Sequence, residues 1–259
     1  MCKKIMGTKI LISGCNGHMG KVVAQELESR ENAQAVAGID LAAVPCKFPV
    51  YSNPVNVVEK VDVIIDFSNP AALSSLLSYA KNKKIPVVFC TTGYSKEQEK
   101  EIKKASEEIP IFRSGNMSIG INLLIELAKK AAKILGTDFD VEIIEKHHNQ
   151  KLDAPSGTAL MIADGISSVR DETHYVFDRH SQRKKREKSE IGISSIRGGT
   201  IIGEHEVMFA GHHEVITLTH SAQSREIFAI GAINAACFLA GKPAGFYQMS
   251  DLLKEGGQF

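Results

Sequence analysis

The stretch of this chain that concentrates the most reactive side chains covers residues 145–159 and reads EKHHNQKLDAPSGTA. Two adjacent imidazoles, His147 and His148, are followed by the ammonium group of Lys151. Histidine titrates near neutral pH and lysine carries a proton and a positive charge, so both can donate protons or bind anions. Such a combination predicts a site for an anionic small molecule with proton donors beside it.

The end of the same stretch predicts the start of a helix. Proline and serine favour the first positions of a helix, and the Pro-Ser-Gly-Thr turn leads into an apolar helical pattern. The first-turn amides of Gly157 and Thr158 would then point outward from the helix end, where the helix dipole attracts anions. We therefore expect these two residues to bind a carboxylate of the ligand.

A metal site is the alternative interpretation of the histidine pair. Adjacent histidines on a regular strand point to opposite faces and cannot both bind one ion. No HExxH motif and no paired-cysteine spacing occurs in the chain. The sequence therefore predicts no metal ion at this site.

The elements that position this stretch follow from hydrophobic periodicity. Residues 119–135 have the pattern of an amphipathic helix, and Phe139, Val141 and Ile143 then alternate with polar residues as in a strand. That strand would carry the histidine pair at its tip. Three later segments, residues 191–196, 200–208 and 214–222, are separated by glycines and predict an antiparallel meander that could bury one face in a partner chain.

A second motif lies near the N-terminus. The apolar strand TKILIS is followed at once by a glycine turn, Gly14-Cys-Asn-Gly17-His-Met-Gly20, and then by a helical segment. Strand, glycine turn and helix in this order are typical of dinucleotide binding, because glycines let the backbone approach the pyrophosphate. Asp40 ends the next strand, where an acid can accept hydrogen bonds from ribose hydroxyls and repel a 2′-phosphate. No arginine follows Asp40, which favours NADH.

Strands alternate with helices from the N-terminus to residue 118. This alternation predicts a doubly wound parallel sheet, in which ligands bind at the carboxyl ends of the strands. Thr91, Thr92 and Asn116 lie at such ends. The fold class is therefore α/β, with a Rossmann-like doubly wound parallel sheet.

Composition limits the remaining possibilities. The chain has 259 residues, enough for two domains, and a net charge of +1, so we expect neither a nucleic-acid partner nor a membrane partner. Residues 179–188 are rich in charge, yet without interleaved aromatic residues they predict a solvated loop. Five scattered cysteines without a CxxC motif and the absence of a long apolar run predict a cytoplasmic protein.

The pattern E-x-H-H-x-x-K-x-D-A-P-S-G-T-A resembles the signature of the dihydrodipicolinate reductase family, enzymes of lysine and diaminopimelate biosynthesis. The segments IGISSIRGG, TIIGEHEVMFAG and SAQSR are also similar to this family, so the resemblance covers nearly the whole chain. It implies NAD(P)H-dependent reduction of 4-hydroxy-tetrahydrodipicolinate, a small cyclic dicarboxylate, to tetrahydrodipicolinate. It also implies a dinucleotide-binding domain over residues 1–118 and 226–259, an α+β substrate-binding and tetramerisation domain with an open mixed sheet over residues 119–225, and a homotetramer.

The resemblance further implies a role for individual positions. His147 matches the proton donor or acceptor, Lys151 the proton donor, His148 a substrate ligand, and Gly157 with Thr158 the amides that hold a substrate carboxylate. The positions that match cofactor-binding residues are Gly14, Cys15, Asn16, Gly17, His18, Met19, Asp40, Cys90, Thr91, Thr92, Ser114, Gly115, Asn116 and Met117.

Two positions depart from the family pattern. His18 replaces an arginine that is common in the glycine loop, and Cys90 stands where glycine is usual. The first departure weakens the case for tight 2′-phosphate binding, so we expect NADH to be favoured or both NADH and NADPH to be used. Two rival functions share the glycine loop: a different two-domain nicotinamide enzyme, and a dinucleotide-binding sensor without catalysis. The first would lack the HHxxKxDAPSGTA tract, and the second would need neither Lys151 nor His147.

Overall fold

The computed structural model describes residues 7–44 and 46–256, which form two compact units. One unit combines the chain up to Met117 with the segment from Glu226 onward, and the other covers Ser118–Arg225. The first unit contains a seven-stranded sheet and the second a five-stranded sheet. No helix among the described residues is long and apolar enough to cross a membrane.

The regular elements are as follows, in chain order. The strands are β1 (Thr8–Ser13), β2 (Ala33–Ile39), β3 (Val50–Tyr51), β4 (Val63–Asp66), β5 (Val87–Phe89), β6 (Pro110–Arg113), β7 (Asp140–His147), β8 (His174–Val176), β9 (Glu190–Arg197), β10 (Gly203–Ala210), β11 (Val215–Ala222) and β12 (Gly245–Tyr247). The α-helices are α1 (His18–Glu28), α2 (Leu73–Lys83), α3 (Lys96–Ala105), α4 (Ile119–Leu135), α5 (Gly157–Ser167), α6 (Glu226–Leu239) and α7 (Met249–Lys254). Short 3₁₀ helices occur at Pro54–Asn56, Pro70–Ala72 and Gly136–Asp138.

The sheet of the first unit is parallel throughout, with the strand order β12-β6-β5-β4-β1-β2-β3. Its central strands are apolar runs rather than alternating patterns, because helices cover both faces and every side chain is buried. Leu11 and Ile64 pack with α2 and α3 on one face. Helix α6, which is apolar on almost all sides, packs against β1, β4, β5 and β6. The predicted Rossmann-like parallel sheet is confirmed.

The sequence Ser95-Lys-Glu-Gln98 has the capping-box pattern that predicts a helix start, and α3 begins there in the structure. The Ser95 hydroxyl accepts a hydrogen bond from the backbone N–H of Gln98, and the Gln98 side chain accepts one from the backbone N–H of Ser95. This reciprocal capping box satisfies two amides that the helix itself cannot pair. The periodic segment 119–135 likewise forms α4, and Ser118 caps it by accepting from the N–H of Ile121.

The sheet of the second unit is mixed, with the strand order β11-β10-β7-β9-β8. Helices α4 and α5 cover one face, where Val141, Ile143, Val207 and Phe209 are fully buried. Strand β7 is central, and its alternating burial shows which side chains point toward the helices. The predicted open mixed sheet is confirmed.

The antiparallel meander that we expected over residues 191–222 is only partly correct. Strands β10 and β11 form an antiparallel pair, but β9 pairs in parallel with β7 and is separated from β10 by that strand. The connection from Arg197 to Gly203 therefore crosses over the end of β7 instead of forming a hairpin. Local sequence does not reveal this insertion, because the pairing partner of β9 lies about 50 residues earlier in the chain. Strands β3, β8 and β12 and helix α7 were not predicted either.

Candidate active site

The candidate site of the second unit is built on strand β7. Period-two alternation turns Val141, Ile143, Glu145 and His147 to the helix-covered face, and burial alternates accordingly. The first two are core residues, and the next two continue the same row as polar groups at the end of the sheet. Glu145 is fully buried and His147 is 8% exposed. The strand that forms the core thus also places the reactive side chains.

The carboxylate of Glu145 is surrounded by hydrogen-bond donors, which include the side chain of Ser195. Its Oε2 lies 2.6 Å from His147 Nδ1 and accepts a hydrogen bond from Arg197 at 2.8 Å. Its Oε1 accepts from Arg197 at 2.7 Å and from the backbone N–H of Ser156 at 3.1 Å. Although burial raises the pKa of Glu145, the hydrogen bonds, led by those from Arg197, lower that pKa to about 2. Glu145 is therefore an anion at neutral pH.

This anion determines the protonation of His147. An ionised carboxylate can only accept, so His147 Nδ1 carries a hydrogen and donates it to Glu145. Burial lowers the pKa of His147, the contacts with Glu145 raise it, and the charges of Lys151 and Arg197 lower it; the net shift is downward. His147 is consequently neutral at pH 7, with Nε2 left as its proton acceptor.

A second buried histidine, His205, lies beside His147 and was not predicted. The two rings are 5.2 Å apart and nearly perpendicular, and His205 Nε2 lies 3.1 Å from the hydroxyl of Ser156. Burial, and then the neighbouring His147, lower the pKa of His205 to about 4. The sequence pattern could have indicated this buried histidine, because His205 alternates with Val207 and Phe209 on the helix-covered face of β10.

Lys151 lies in the loop between β7 and α5. Its Nζ is 2.8 Å from Asp153 Oδ1, and its side chain is 21% exposed. This ion pair is the main cause of the lowered pKa of Asp153. The backbone N–H of Lys151 donates to the carbonyl of His148, which makes the loop a tight turn. Lys151 thus remains partly accessible beside the end of β7.

The start of α5 has the predicted form. Ser156 is the N-cap, its hydroxyl accepts a hydrogen bond from the N–H of Ala159, and the helix begins at Gly157. A side chain at Gly157 would meet no atom within 4 Å, so the space beside the first turn is open. Thr158 is the next residue of the same turn. An anion placed at this end would face the amides and the positive end of the helix dipole.

The loop from β9 to β10 forms another side of the site, which the predicted meander did not include. Gly198 donates its N–H to the carbonyl of His147 at 2.9 Å, and Asn149 donates to the carbonyl of Gly199 at 3.2 Å. A side chain at Gly203 would lie 3.1 Å from His147 Nε2. The structure therefore brings His147, His148, Lys151, Gly157 and Thr158 to one end of the second sheet, and His148 is half-buried there.

In the first unit, the glycine turn joins β1 to α1 as predicted. Gly14 has a φ of +78°, and a side chain there would lie 2.5 Å from the carbonyl oxygen of Phe67. A side chain at Gly20 would lie 2.1 Å from the carbonyl oxygen of Gly14. Gly17 is the N-cap residue of α1. Only glycine permits this close approach between the turn, the helix and the neighbouring β4 loop.

The remaining predicted residues of this turn differ in exposure. Cys15 is buried, and its burial raises the pKa of its thiol to about 12. His18 is exposed and Met19 is half-buried. Asn16 links the turn to the loop after β2, because its side chain donates to the carbonyl of Val44 and accepts from the N–H of Val44.

Asp40 lies directly beside the glycine turn. Its carboxylate accepts hydrogen bonds from the backbone N–H groups of Asn16 at 3.0 Å and Ala42 at 3.2 Å. Gly14, Gly17, Asp40 and Ser68 all line one cavity of about 600 Å³. A cavity of this size, lined by a glycine turn, a helix start and an acid, fits the adenosine and pyrophosphate portions of a dinucleotide.

Cys90, Thr91 and Thr92 follow β5, and a network that sequence reasoning missed surrounds them. Buried Asp66 accepts hydrogen bonds from the hydroxyls of Thr91 at 2.7 Å and Tyr94 at 3.0 Å. Burial, and then the charge of Asp66, raise the pKa of the Cys90 thiol well above its usual value. Cys90 and Thr91 are buried, so Thr92 is the exposed residue of the three.

Residues 114–117 follow β6, the next strand of the sheet. Ser114 donates from its hydroxyl to the carbonyl of Asn116 at 2.8 Å, which fixes the turn. Gly115 is exposed and Met117 is buried. Arg113, which was not predicted, donates to the carbonyl of Thr91 at 2.9 Å and ties the two loops together. Its position at the carboxyl end of a strand could have indicated Arg113 as a candidate site residue.

One group of metal-type ligands occurs within the described residues. His174, Glu187 and Glu190 have ligand atoms within 4.8 Å of one another. The two carboxylates already pair with cations, Glu187 with Lys184 and Glu190 with Arg179, at 2.8 Å and 2.6 Å. The group is thus an ion-pair cluster at the edge of the sheet, away from the histidine pair on β7.

This chain is similar in sequence and in structure to known proteins. Two sequence models match, described as dihydrodipicolinate reductase, N-terminus, over residues 8–117, and dihydrodipicolinate reductase, C-terminus, over residues 120–253. A 4-hydroxy-tetrahydrodipicolinate reductase of Caldanaerobacter subterraneus subsp. tengcongensis is 55% identical over 97% of this chain and 100% of its own length. One of Clostridium novyi is 51% identical over 95% of this chain and 98% of its own. The dipicolinate-bound dihydrodipicolinate reductase of Paenisporosarcina sp. TG-14 has a similar structure, with a TM-score of 0.78 and 27% identity, covering 94% of this chain and 98% of that one.

Proposed function

This chain belongs to the dihydrodipicolinate reductase family, and from that premise we propose how its residues carry out the reaction. It is an oxidoreductase that reduces 4-hydroxy-tetrahydrodipicolinate to tetrahydrodipicolinate in lysine and diaminopimelate biosynthesis. The reaction consumes one hydride and one proton, and the 4-hydroxyl group leaves as water. NAD(P)H supplies the hydride when it is bound.

The observation that carries the assignment of the site is the arrangement at the end of β7. A neutral imidazole, an ammonium group and a helix start lie together there, in the residues His147, Lys151 and Gly157. A solved relative is described as bound to dipicolinate, a cyclic dicarboxylate. Positive charge and the amides of a helix start suit a dicarboxylate, so we place the substrate at this end of the second unit.

Each residue then has a role that follows from its chemistry. The amides of Gly157 and Thr158, together with His148, hold the substrate carboxylates. Lys151 stabilises the negative charge that hydride addition creates on the ring and donates a proton from its Nζ. His147 exchanges a proton through Nε2, since its Nδ1 is committed to Glu145. Fixed positions for these groups lower the entropic cost of reaching the transition state.

The cofactor is proposed to bind along the glycine turn of the first unit. The backbone of residues 14–19 faces the pyrophosphate, and Asp40 accepts hydrogen bonds from the adenosine ribose. Thr92 and the turn at residues 114–117 lie at the neighbouring strand ends, where the nicotinamide half would bind. Cys90 and Thr91 are buried there and contribute shape and backbone groups rather than exposed side chains.

NADH is favoured in this proposal, or both cofactors are used. A 2′-phosphate needs a cation, and His18 stands where the family commonly has arginine. The nearby Lys47 already pairs with Glu28 at 2.7 Å. Steady-state kinetics with each cofactor tests this: we expect kcat/KM for NADH to equal or exceed that for NADPH. A preference for NADPH of about a hundredfold, or roughly 2.7 kcal/mol, would contradict it.

A homotetramer formed through the second sheet is part of the proposal. The face of that sheet opposite α4 and α5 carries Ile144, Met208 and Ile196, the last 46% exposed. Val215 on the edge strand β11 is 58% exposed. These apolar side chains lie among charged pairs such as Lys146–Glu204, the mixture that protein interfaces commonly show.

We also propose a cytoplasmic location. The cysteines that can be assessed, Cys15, Cys46, Cys90 and Cys237, are free thiols, and Cys2 lies outside the described residues. Free thiols fit a reducing compartment, as does membership of a biosynthetic enzyme family.

The experiment that tests the proposed function follows the absorbance of NADH. The purified chain is mixed with NADH and with substrate generated by the preceding synthase. We expect oxidation of NADH only when the synthase product is present. The absence of oxidation with either nicotinamide cofactor would overturn the assignment, and binding of NADH without turnover would favour the dinucleotide-binding sensor.

A further inference from the structure

We propose that the ion pair of Glu145 and Arg197 positions all three parts of the substrate site: the imidazole of His147, the loop that carries Lys151, and the amides at the start of α5. Both are positioning residues rather than catalytic ones. The inference rests on the proposed function, because it takes His147 and Lys151 as the groups that handle protons.

The carboxylate of Glu145 is saturated with hydrogen bonds. A carboxylate offers about four lone-pair positions, and Glu145 accepts from His147, from two nitrogens of Arg197, from the N–H of Ser156 and from the side chain of Ser195. It is fully buried as well. Such a carboxylate has no capacity left to bind a substrate or to accept a proton from one, so its function is exerted through its neighbours.

The hydrogen bonds of Glu145 and Arg197 connect them to each part of the substrate site. One of them fixes the Nδ1–H tautomer and the ring orientation of His147. Another holds the N–H of Ser156, the N-cap residue, and thereby the first turn of α5. Arg197 adds the third connection, since it also donates to the carbonyl of Asp153 at 2.6 Å. Asp153 in turn pairs with Lys151.

The position of the Glu145–Arg197 pair in the fold would also suit apolar side chains. A buried ion pair stabilises a protein little, and often less than apolar side chains of similar size would. Glu145 lies in the same row of β7 as Val141 and Ile143, where an apolar residue would extend the core. A charged pair at this position is better explained by the geometry that it imposes on the site than by a contribution to stability.

A second buried glutamate offers a matched control. Glu190 begins β9 of the same sheet, its side chain is 1% exposed, and it pairs with Arg179 at 2.6 Å. Glu190 pairs with His174 at the start of β8, so it lies at the opposite end of β9 from Arg197. Glu190→Gln therefore removes a similarly buried carboxylate from an ion pair that has no connection to His147 or Lys151.

The experiment compares Glu145→Gln, Arg197→Lys and Glu190→Gln in the full chain. Glu145→Gln keeps the size of the side chain but places an amide NH₂ group against the donors of Arg197. Arg197→Lys keeps the charge and loses the two-pronged contact. We expect kcat to fall roughly 10- to 100-fold in both, the range for partners that orient a functional imidazole, with unchanged affinity for NADH. Glu190→Gln should retain the wild-type kcat.

Two further measurements separate positioning from a merely structural role. Loss of the carboxylate removes an interaction that raises the pKa of His147, so the acidic limb of the kcat profile should move to lower pH in Glu145→Gln. Nitrogen-15 NMR of the histidine rings should show His147 protonated on Nδ1 in the wild type and as a mixture of tautomers in Glu145→Gln. The signal is identified by its absence in His147→Gln.

The outcomes distinguish this inference from the proposed function. If Glu145→Gln and Arg197→Lys leave the tautomer of His147 and the pH profile unchanged, the positioning role is wrong. If the tautomer changes while kcat stays at the wild-type value, the positioning role is supported and the assignment of His147 to proton transfer fails. An equal loss of kcat in Glu190→Gln would show that the variants lose activity through general destabilisation. That result would also refute the positioning role.

Discussion

At the scale of single residues, Lys151 holds its ammonium group 2.8 Å from a carboxylate oxygen of Asp153. Hydride addition creates negative charge on the substrate, and Lys151→Ala removes the cation that would stabilise it. We expect kcat to fall by about a hundredfold or more, because the interaction is felt mainly in the transition state. Stopped-flow and steady-state kinetics on the authentic substrate measure this loss. A wild-type rate would show that the segment only binds the substrate.

His148 should behave differently from Lys151. It is half-buried at the end of β7 and is proposed to bind a substrate carboxylate. This interaction stabilises the bound substrate and the transition state equally. His148→Ala should therefore raise KM about tenfold and leave kcat nearly unchanged. The affinity for NADH, measured by fluorescence titration, serves as the control. A loss confined to kcat would instead make His148 a participant in proton transfer.

His205 predicts a pH dependence of stability. Its pKa is lowered to about 4 by burial, and then by His147, from an ordinary value of 6.5. The unfolded chain then takes up a proton near pH 6.5 and the folded chain only near pH 4, so stability falls as the pH decreases through this window. The loss amounts to about 3 kcal/mol, at about 1.4 kcal/mol for each unit of pKa.

The corresponding variant is His205→Gln, which cannot take up a proton. Urea unfolding at pH 7 and at pH 4.5 should show a smaller loss of stability in this variant than in the wild type. His213→Gln is the control, because His213 is exposed in the turn between β10 and β11. If the free energy of unfolding changed equally between pH 7 and pH 4.5 in all three proteins, His205 would take up its proton as readily in the folded chain as in the unfolded one.

At the scale of elements, the packing of α1 against the glycine turn determines the shape of the nucleotide site. A methyl group at Gly20 would lie 2.1 Å from the carbonyl oxygen of Gly14, so Gly20→Ala must push the helix start away from the turn. We expect a loss of about 1 to 3 kcal/mol in stability and at least tenfold weaker NADH binding. Calorimetric titration measures the binding.

The control for Gly20→Ala is Gln25→Ala, which changes an exposed residue of the same helix. It should keep both NADH affinity and stability. Normal NADH affinity in Gly20→Ala would show that the start of α1 can shift without disturbing the cofactor, and the proposed pyrophosphate site would then need another location.

At the scale of the whole molecule, the open face of the second sheet leads to a prediction about assembly. Ile196 and Val215, 46% and 58% exposed, lie on β9 and β11. We expect sedimentation velocity at micromolar concentration to show a tetramer, and the double variant Ile196→Glu and Val215→Glu to form smaller species, because charges would be buried without partners.

Val58→Glu is the matched control for assembly. Val58 is 84% exposed but lies in the first unit, so a charge there should leave the tetramer intact. A wild-type chain that sediments as a stable monomer at this concentration would contradict the proposed assembly.

Much of the fold and the composition of the site could be predicted from the sequence alone. Helix α4, the capping box at Ser95 and the strand that ends in the histidine pair depend on local periodicity and on residues a few positions apart. The glycine turn between β1 and α1 is equally local. Such features are determined by backbone geometry within one or two turns of chain, and the sequence contains that information directly.

Other features were decided only by the tertiary structure. The insertion of β7 between β9 and β10 depends on strand pairing across about 50 residues, which periodicity cannot specify. The same pairing places Arg197 opposite His147 and His205 opposite Glu145. A buried carboxylate needs donors, and which donors reach it depends on the register of neighbouring strands. The sequence therefore determined which reactive groups the site contains, and the sheet determined their tautomers, charges and partners.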